Sequence, residues 1–297
     1  MLKIRKYGAI DIGSNAIRLL ISNVIEKNHR EPEFKKVDII RVPIRLGQDV
    51  FVKGEISEAN RQRMTEAMKA FKLLMGVHGV ERYKACATSA MREASNGSLV
   101  RDFILKEADV EIDIIDGKKE AEIISFTDLN DTFDSDKSYL YVDVGGGSTE
   151  LTVIVKGNII ASKSFKIGTV RLLNKTVNKK EVFAAMEHWI KENTEDINKI
   201  QVIGSGGNIN KIFKMSGKPI GTSLSLEYIK AHYRFLKNMS YDDRILVLGL
   251  NTDRADVIVP ATKIYLNAMK WSGAKKIFVP KIGLSDGIIK SMYFEKL

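Results

Sequence analysis

Cysteine is almost missing from this sequence. The single thiol, Cys86, rules out an internal disulfide and suits a reducing compartment. It stands in the mostly apolar run 83–87, the setting of a buried strand residue rather than a nucleophile. Histidine is nearly as scarce. His29, His78, His188 and His232 are scattered without metal-ligand spacing, so zinc chemistry and Ser-His catalysis find little support. No apolar run reaches the roughly 18–20 residues that span a bilayer. Residues 1–6 are basic, but Gly8 and Asp11 interrupt any signal-peptide core. A cytoplasmic protein without membrane association is the expectation. Positive charge, by contrast, is in surplus: 47 Lys and Arg against 37 Asp and Glu, a formal +10. That favours acidic partners, whether nucleic acid, anionic lipid or a phosphate-rich substrate. Aromatic residues do not interleave with the lysines as a single-strand-binding face requires, and no nucleic-acid motif accompanies the charge. Nucleic acid is therefore not the expected partner.

A chain of 297 residues with 44% hydrophobic composition leads one to expect two globular lobes. β-branched and apolar runs predict strands at 8–12, 16–24, 37–42, 83–87 and 110–115. Behind an N-cap at Ser57, Met64, Ala67, Met68, Phe71, Leu74 and Met75 recur at helical spacing, which marks a core face. Further helices are predicted at 99–108 and 118–129. The polar stretch 130–138 is the candidate lobe boundary. Strands then return at 140–144, 149–155, 159–165, 201–203 and 277–279. Helices are expected at 179–195, 226–236, 241–248, 255–269 and 286–294. The alternation argues for an α/β fold in two lobes, 1–125 and 126–285, with a closing helix in 286–297 packing back on the first.

The most informative feature is repetition. Asp11-Ile-Gly-Ser and Asp143-Val-Gly-Gly share one form: apolar strand, Asp, apolar residue, Gly, tight turn, apolar strand. Such duplication suggests related lobes facing one cleft. In the second copy Gly145, Gly146 and Gly147 carry no side-chain bulk and permit positive φ, so their amides can converge on an anion. Ser148 and Thr149 add hydroxyls. Asp143 would repel a phosphate unless a cation lay between them, and Mg²⁺ meets that need; Glu150 could share it. A third glycine turn lies at 204–208. None of the three is a P-loop or a dinucleotide fingerprint.

Taken in order, Asp11-Ile-Gly-Ser-Asn15, Ala87-Thr-Ser89 with Arg92, Gly117-x-x-Glu120-Ala121, Asp143-Val-Gly-Gly-Gly-Ser-Thr-Glu150 and Gly204-Ser-Gly-Gly207 resemble the exopolyphosphatase / guanosine pentaphosphate phosphatase family. Arg254-Ala-Asp-x-Ile258 and Leu284-Ser-Asp-Gly287 extend the resemblance over nearly the whole chain. It implies the actin-like, sugar-kinase superfamily architecture of two ribonuclease-H-like lobes around a cleft. It implies Glu120 as the catalytic base that deprotonates water and Arg92 as a phosphate clamp. Asp143 and Glu150, with Asp11 close by, would hold Mg²⁺. Ser14, Asn15 and the turn Gly145, Gly146, Gly147, Ser148 and Thr149 would cradle phosphates. Polyphosphate and guanosine pentaphosphate (pppGpp) are both implied substrates. Where the family often has two acidic residues before the alanine, this chain has Lys119 and Glu120. Without the resemblance, Glu120 reads sooner as a first-turn glutamate favoured by the helix dipole than as a base. Longer relatives carry a further C-terminal helical domain, so the expectation here is the hydrolytic step rather than processivity on long chains. Alternatives are a non-catalytic polyphosphate or (p)ppGpp sensor and a phosphotransferase of the same superfamily. A homodimer is the base-rate assembly. Lys118, Lys163, Lys166, Arg171, Lys211 and Arg254 are candidates for a basic path to the site.

Overall fold

The computed structural model describes residues 2–127, 134 and 136–297. The chain forms two compact units, Met1–Thr127 with Gly283–Leu297, and Asp128–Ile282. Each is built on a mixed sheet, and the two sheets share one plan.

In the first unit, β1 (Leu2–Ile12), β2 (Ile17–Lys27) and β3 (Glu33–Val42) form an antiparallel meander. β4 (Arg82–Ala87) and β5 (Ile112–Ile114) add to the other side of β1 in parallel, giving the order β3-β2-β1-β4-β5. β1 is apolar and buried in its second half, as a central strand covered on both faces must be. The predicted stripe on α2 (Glu58–His78) packs into this core: Met64, Ala67, Met68, Phe71 and Met75 are buried. Ser57 caps that helix by accepting the Asn60 N–H. Around the sheet also lie α1 (Leu46–Lys53), α3 (Ser89–Glu93), α4 (Gly97–Ala108) and α5 (Gly117–Ser125). α5 stops at Ser125, short of the expected 129; residues 128 and 129, and most of the expected boundary at 130–138, lie outside the described residues.

In the second unit, β6 (Ser138–Val144), β7 (Thr149–Val155) and β8 (Asn158–Phe165) repeat the meander. β9 (Gln201–Ser205) pairs parallel with β6, and β11 (Lys276–Phe278) with β9, while β10 (Ser223–Ser225) closes the edge antiparallel. The helices are α6 (Thr169–Asn174), α7 (Lys179–Thr194), α8 (Gly207–Met215), α9 (Leu226–Asn238), α10 (Tyr241–Leu246), α11 (Thr252–Ala255) and α12 (Ile258–Trp271). The helix expected over 255–269 starts instead at Ile258, behind the short α11 that ends at Ala255. Finally α13 (Leu284–Tyr293) packs on α5 and β1 of the first unit. Its Asp286 carboxylate accepts the Gly283 N–H and ion-pairs with Lys36 of β3 at 2.7 Å.

Cys86 is buried in β4, as its apolar run implied. Burial, reinforced by Asp113, pushes its thiol up to about 12. The native thiol is therefore expected to resist alkylation at pH 8 and to react once guanidinium unfolds the chain, read by mass spectrometry. Because the folded pKa is raised, this group's stabilising contribution holds below the thiol's ordinary value of 9.0 and fades as pH rises towards about 12.

Candidate active site

Three strand ends of the first unit carry its candidate site residues. β1, β4 and β5 run parallel, and each leads into a turn or helix start: Gly13–Asn15, Thr88–Arg92 and Asp116–Glu120. Ligands bind outside the carboxyl ends of parallel strands for this reason. Ser14 is buried, its hydroxyl 3.0 Å from that of Ser89. Asp11 is buried, and its carboxylate accepts from Arg18 of β2 at 2.6 Å. Arg92 Nη1 donates to the Ile115 carbonyl at 2.6 Å and lies 4.0 Å from Glu120 Oε2. Glu120 stands in the first turn of α5, whose N-cap Asp116 accepts the Lys119 N–H. At 8% exposure it is buried, unlike a glutamate kept only for a helix dipole.

The second unit repeats the hairpin and changes its charge. Gly13 N–H donates to Ala16 O, and Gly145 N–H donates to Ser148 O, so both turns close in the same way. Asp11 faces Arg18 across the first hairpin; Asp143 faces Glu150 across the second. A cationic partner in one copy is thus a second carboxylate in the other. Glu150 is buried and accepts the Ser164 hydroxyl at 3.0 Å; Asp143 accepts that of Ser205 at 3.3 Å. Two carboxylates on one face of adjacent strands are a donor set for a hard cation. Among the described residues no group of three His, Cys, Asp or Glu is placed to hold a metal. A pair suits Mg²⁺, which takes one or two carboxylates and completes its shell with waters and phosphate oxygens.

The turn itself is braced from behind. Thr169 N–H donates to Gly145 O, Val170 and Arg171 N–H to Gly146 O, and the Arg171 Nε to Gly147 O at 2.7 Å. A trans peptide directs each N–H opposite to the preceding carbonyl. With these three carbonyls drawn towards α6, the amides of Gly146, Gly147 and Ser148 face the other way, an array suited to an anion. The first hairpin is held likewise, Gly47 N–H on Ser14 O and Arg45 N–H on Asn15 O.

Some expectations change with this geometry. Gly145, Gly146 and Gly147 are not among the glycines with positive φ; Gly206 of the third turn is, at +114°. The first two turns link their strands through four residues each, 13–16 and 145–148, without left-handed glycine, whereas the third carries one. Thr149 is fully buried and its hydroxyl donates to the Ile167 carbonyl, so it anchors the turn instead of presenting a donor. Arg171, expected on a basic path to the site, is the buried brace. Lys211 spends its ammonium on the Leu248 carbonyl, and Arg254 donates to the Gly207 carbonyl. Sequence reading missed Ser205, which holds Asp143, and Tyr265, whose hydroxyl donates to the Ser205 carbonyl. Burial and the nearby Asp143 raise the Tyr265 phenol well above its usual pKa, keeping it a neutral donor. Neither carries a sequence signal beyond Ser205 lying inside the third glycine turn.

Gly168 shows how little room the brace leaves. A Cβ there would lie 2.3 Å from Gly146 O and 2.5 Å from Gly147 N, both backbone atoms. Gly168→Ala should destabilise the fold by about 1–3 kcal/mol through overpacking. It should also weaken phosphate binding, read by melting and by phosphate titration together.

Two sheets of one plan, each with an Asp-headed hairpin turn held from behind by backbone hydrogen bonds, define a duplicated α/β fold of the actin-like class. The model of the Ppx/GppA phosphatase family matches residues 24–295, and the chain belongs to that family. A bifunctional 3-dehydroquinate synthase/phosphatase of Fusobacterium nucleatum is 29% identical over 91% of this chain and 44% of its own length. Exopolyphosphatase 2 of Mycobacterium tuberculosis is 30% identical over 60% of this chain and 56% of its own. The chain thus spans about half the length of these curated relatives. A crystal structure of an exopolyphosphatase from Cytophaga hutchinsonii superposes with TM-score 0.83 at 26% identity, covering 98% of each chain. Among the described residues no helix is long and apolar enough to cross a membrane.

Proposed function

We propose that this chain is a Mg²⁺-dependent phosphohydrolase that removes terminal phosphates from inorganic polyphosphate, from the 5′ end of guanosine pentaphosphate, or from both. The observation that carries the reading is the braced glycine turn beside the Asp143–Glu150 pair, amides suited to an anion next to carboxylates suited to a cation. Phosphoryl transfer asks a protein mainly for positioning and charge stabilisation, and these are the groups on offer. In the second unit the amides of Gly146, Gly147 and Ser148 are the proposed holders of non-bridging oxygens, and in the first unit Ser14 and Asn15 are the proposed phosphate contacts. Asp143 and Glu150 are the proposed ligands. Asp11, already ion-paired to Arg18, is the weakest of the three carboxylates for that role. Mg²⁺, when bound, supplies charge neutralisation on the phosphate oxygens. Glu120 orients a water and takes its proton, and Arg92 stabilises charge on the transferred group.

The test is phosphate release from polyphosphates of several lengths and from guanosine pentaphosphate, with Mg²⁺ and with EDTA. Release into water, dependent on Mg²⁺ and needing no acceptor, is expected. Binding without any turnover would leave a sensor, and turnover only with an acceptor would leave a phosphotransferase.

A further inference from the structure

The second unit carries a basic cavity that the glycine turns do not use. On α9, Lys230, Tyr233, Arg234 and Lys237 fall at i, i+3, i+4 and i+7, one helical face. On α12, Lys263 and Lys270 fall at i and i+7. Together they line a half-open cavity of about 360 Å³. Its lining includes five cations and no carboxylate. Glu227 reaches the Lys230 ammonium at 3.7 Å from an exposed position, one acid beside five bases. Like charges at i,i+3 and i,i+4 oppose helix formation, so the fold bears this cluster at a loss unless an anion relieves it. Burial and the ammoniums of Lys270, Lys179 and Lys237 lower the Lys263 pKa.

Shape and chemistry narrow the occupant. A membrane or a duplex requires an extended surface, whereas this is a concave pocket. The face of Tyr233 lies 5.4 Å from the Lys263 ammonium, so the ring is engaged by a cation and not offered to a base. Tyr265 points from the other side of α12 to the Ser205 carbonyl beside Asp143, since two residues along a helix turn about 200°. The cavity and the Ser205–Asp143 contact therefore lie on opposite faces of one helix.

We propose that this cavity is a second, non-catalytic site for a short run of condensed phosphate. Inorganic tripolyphosphate is the probe, titrated calorimetrically into the full chain in EDTA, where hydrolysis is not required for the readout. The wild type should show a class of bound tripolyphosphate that Arg234→Ala/Lys263→Ala/Lys270→Ala weakens by about 10- to 100-fold. Phosphate release from a short substrate should stay unchanged in that variant. Lysine acylation mapped by mass spectrometry gives a readout without mutation: tripolyphosphate should protect Lys263 and Lys270. Unchanged binding by the triple variant, or no protection, overturns the proposal. So does a single-stranded oligonucleotide that binds this face more tightly than tripolyphosphate. Loss of all turnover in the wild type would strike the hydrolytic reading alone, because binding and protection report on the cavity independently.

Discussion

Replacing Glu120 with glutamine is expected to lower kcat for phosphate release by about 10²–10⁴-fold, with KM changed by less than about threefold. The substitution keeps side-chain volume and hydrogen-bonding capacity but removes the base. Two readings of this residue predict different outcomes. A first-turn glutamate that merely complements the helix dipole contributes about 0.3–1 kcal/mol to stability, and its loss leaves kcat alone. A general base leaves stability nearly untouched and removes rate. Its position favours the second: Glu120 is buried, with the Arg92 guanidinium 4.0 Å away and itself fixed on the Ile115 carbonyl. Single-turnover measurements alongside melting curves separate the two. Unchanged kcat in a variant that melts lower would return Glu120 to the dipole role and leave the site without a base.

What the sequence makes legible here is what recurs locally. The two Asp-headed turns can be read because an apolar strand, an acid and a glycine stand in fixed order, and the structure gives both the same Gly N–H to carbonyl closure. The α2 stripe can be read because twenty-one residues give helical periodicity room to repeat. Short elements give no such repeat. α3, five residues long, carries Arg92, and α6, six residues long, carries the brace; both fall below the length at which a period is visible. Arg171 is opaque for another reason. Arginine is a surface residue by habit, and only the tertiary path of α6 behind the turn gives it a buried carbonyl to hold. The meaning of Arg18 and Glu150 lies in cross-strand register: each stands opposite an aspartate, and a string of letters shows the spacing but not the pairing.

That pairing yields the other large effect. Asp143→Asn should reduce phosphate release by about 10²–10⁴-fold, since a metal's stabilisation of transition-state charge is worth several kcal/mol. Activity alone would not distinguish a lost ligand from a disturbed turn, so the decisive readout is melting. A cation that binds only the folded chain stabilises it by about 2.7 kcal/mol at a hundred times its Kd. For a chain of this size that shifts Tm by roughly 4 °C. Mg²⁺ should raise the Tm of the wild type by that order and leave the Asp143→Asn melt where EDTA puts it. Asp11→Asn supplies the contrast. It removes the partner of Arg18 in the first hairpin, yet the Mg²⁺-dependent shift should survive, because the carboxylate pair lies in the second. A Mg²⁺ shift that persists in Asp143→Asn and vanishes in Asp11→Asn would move the cation to the first hairpin. The change from Arg18 to Glu150 between the two copies would then have some purpose other than holding a metal.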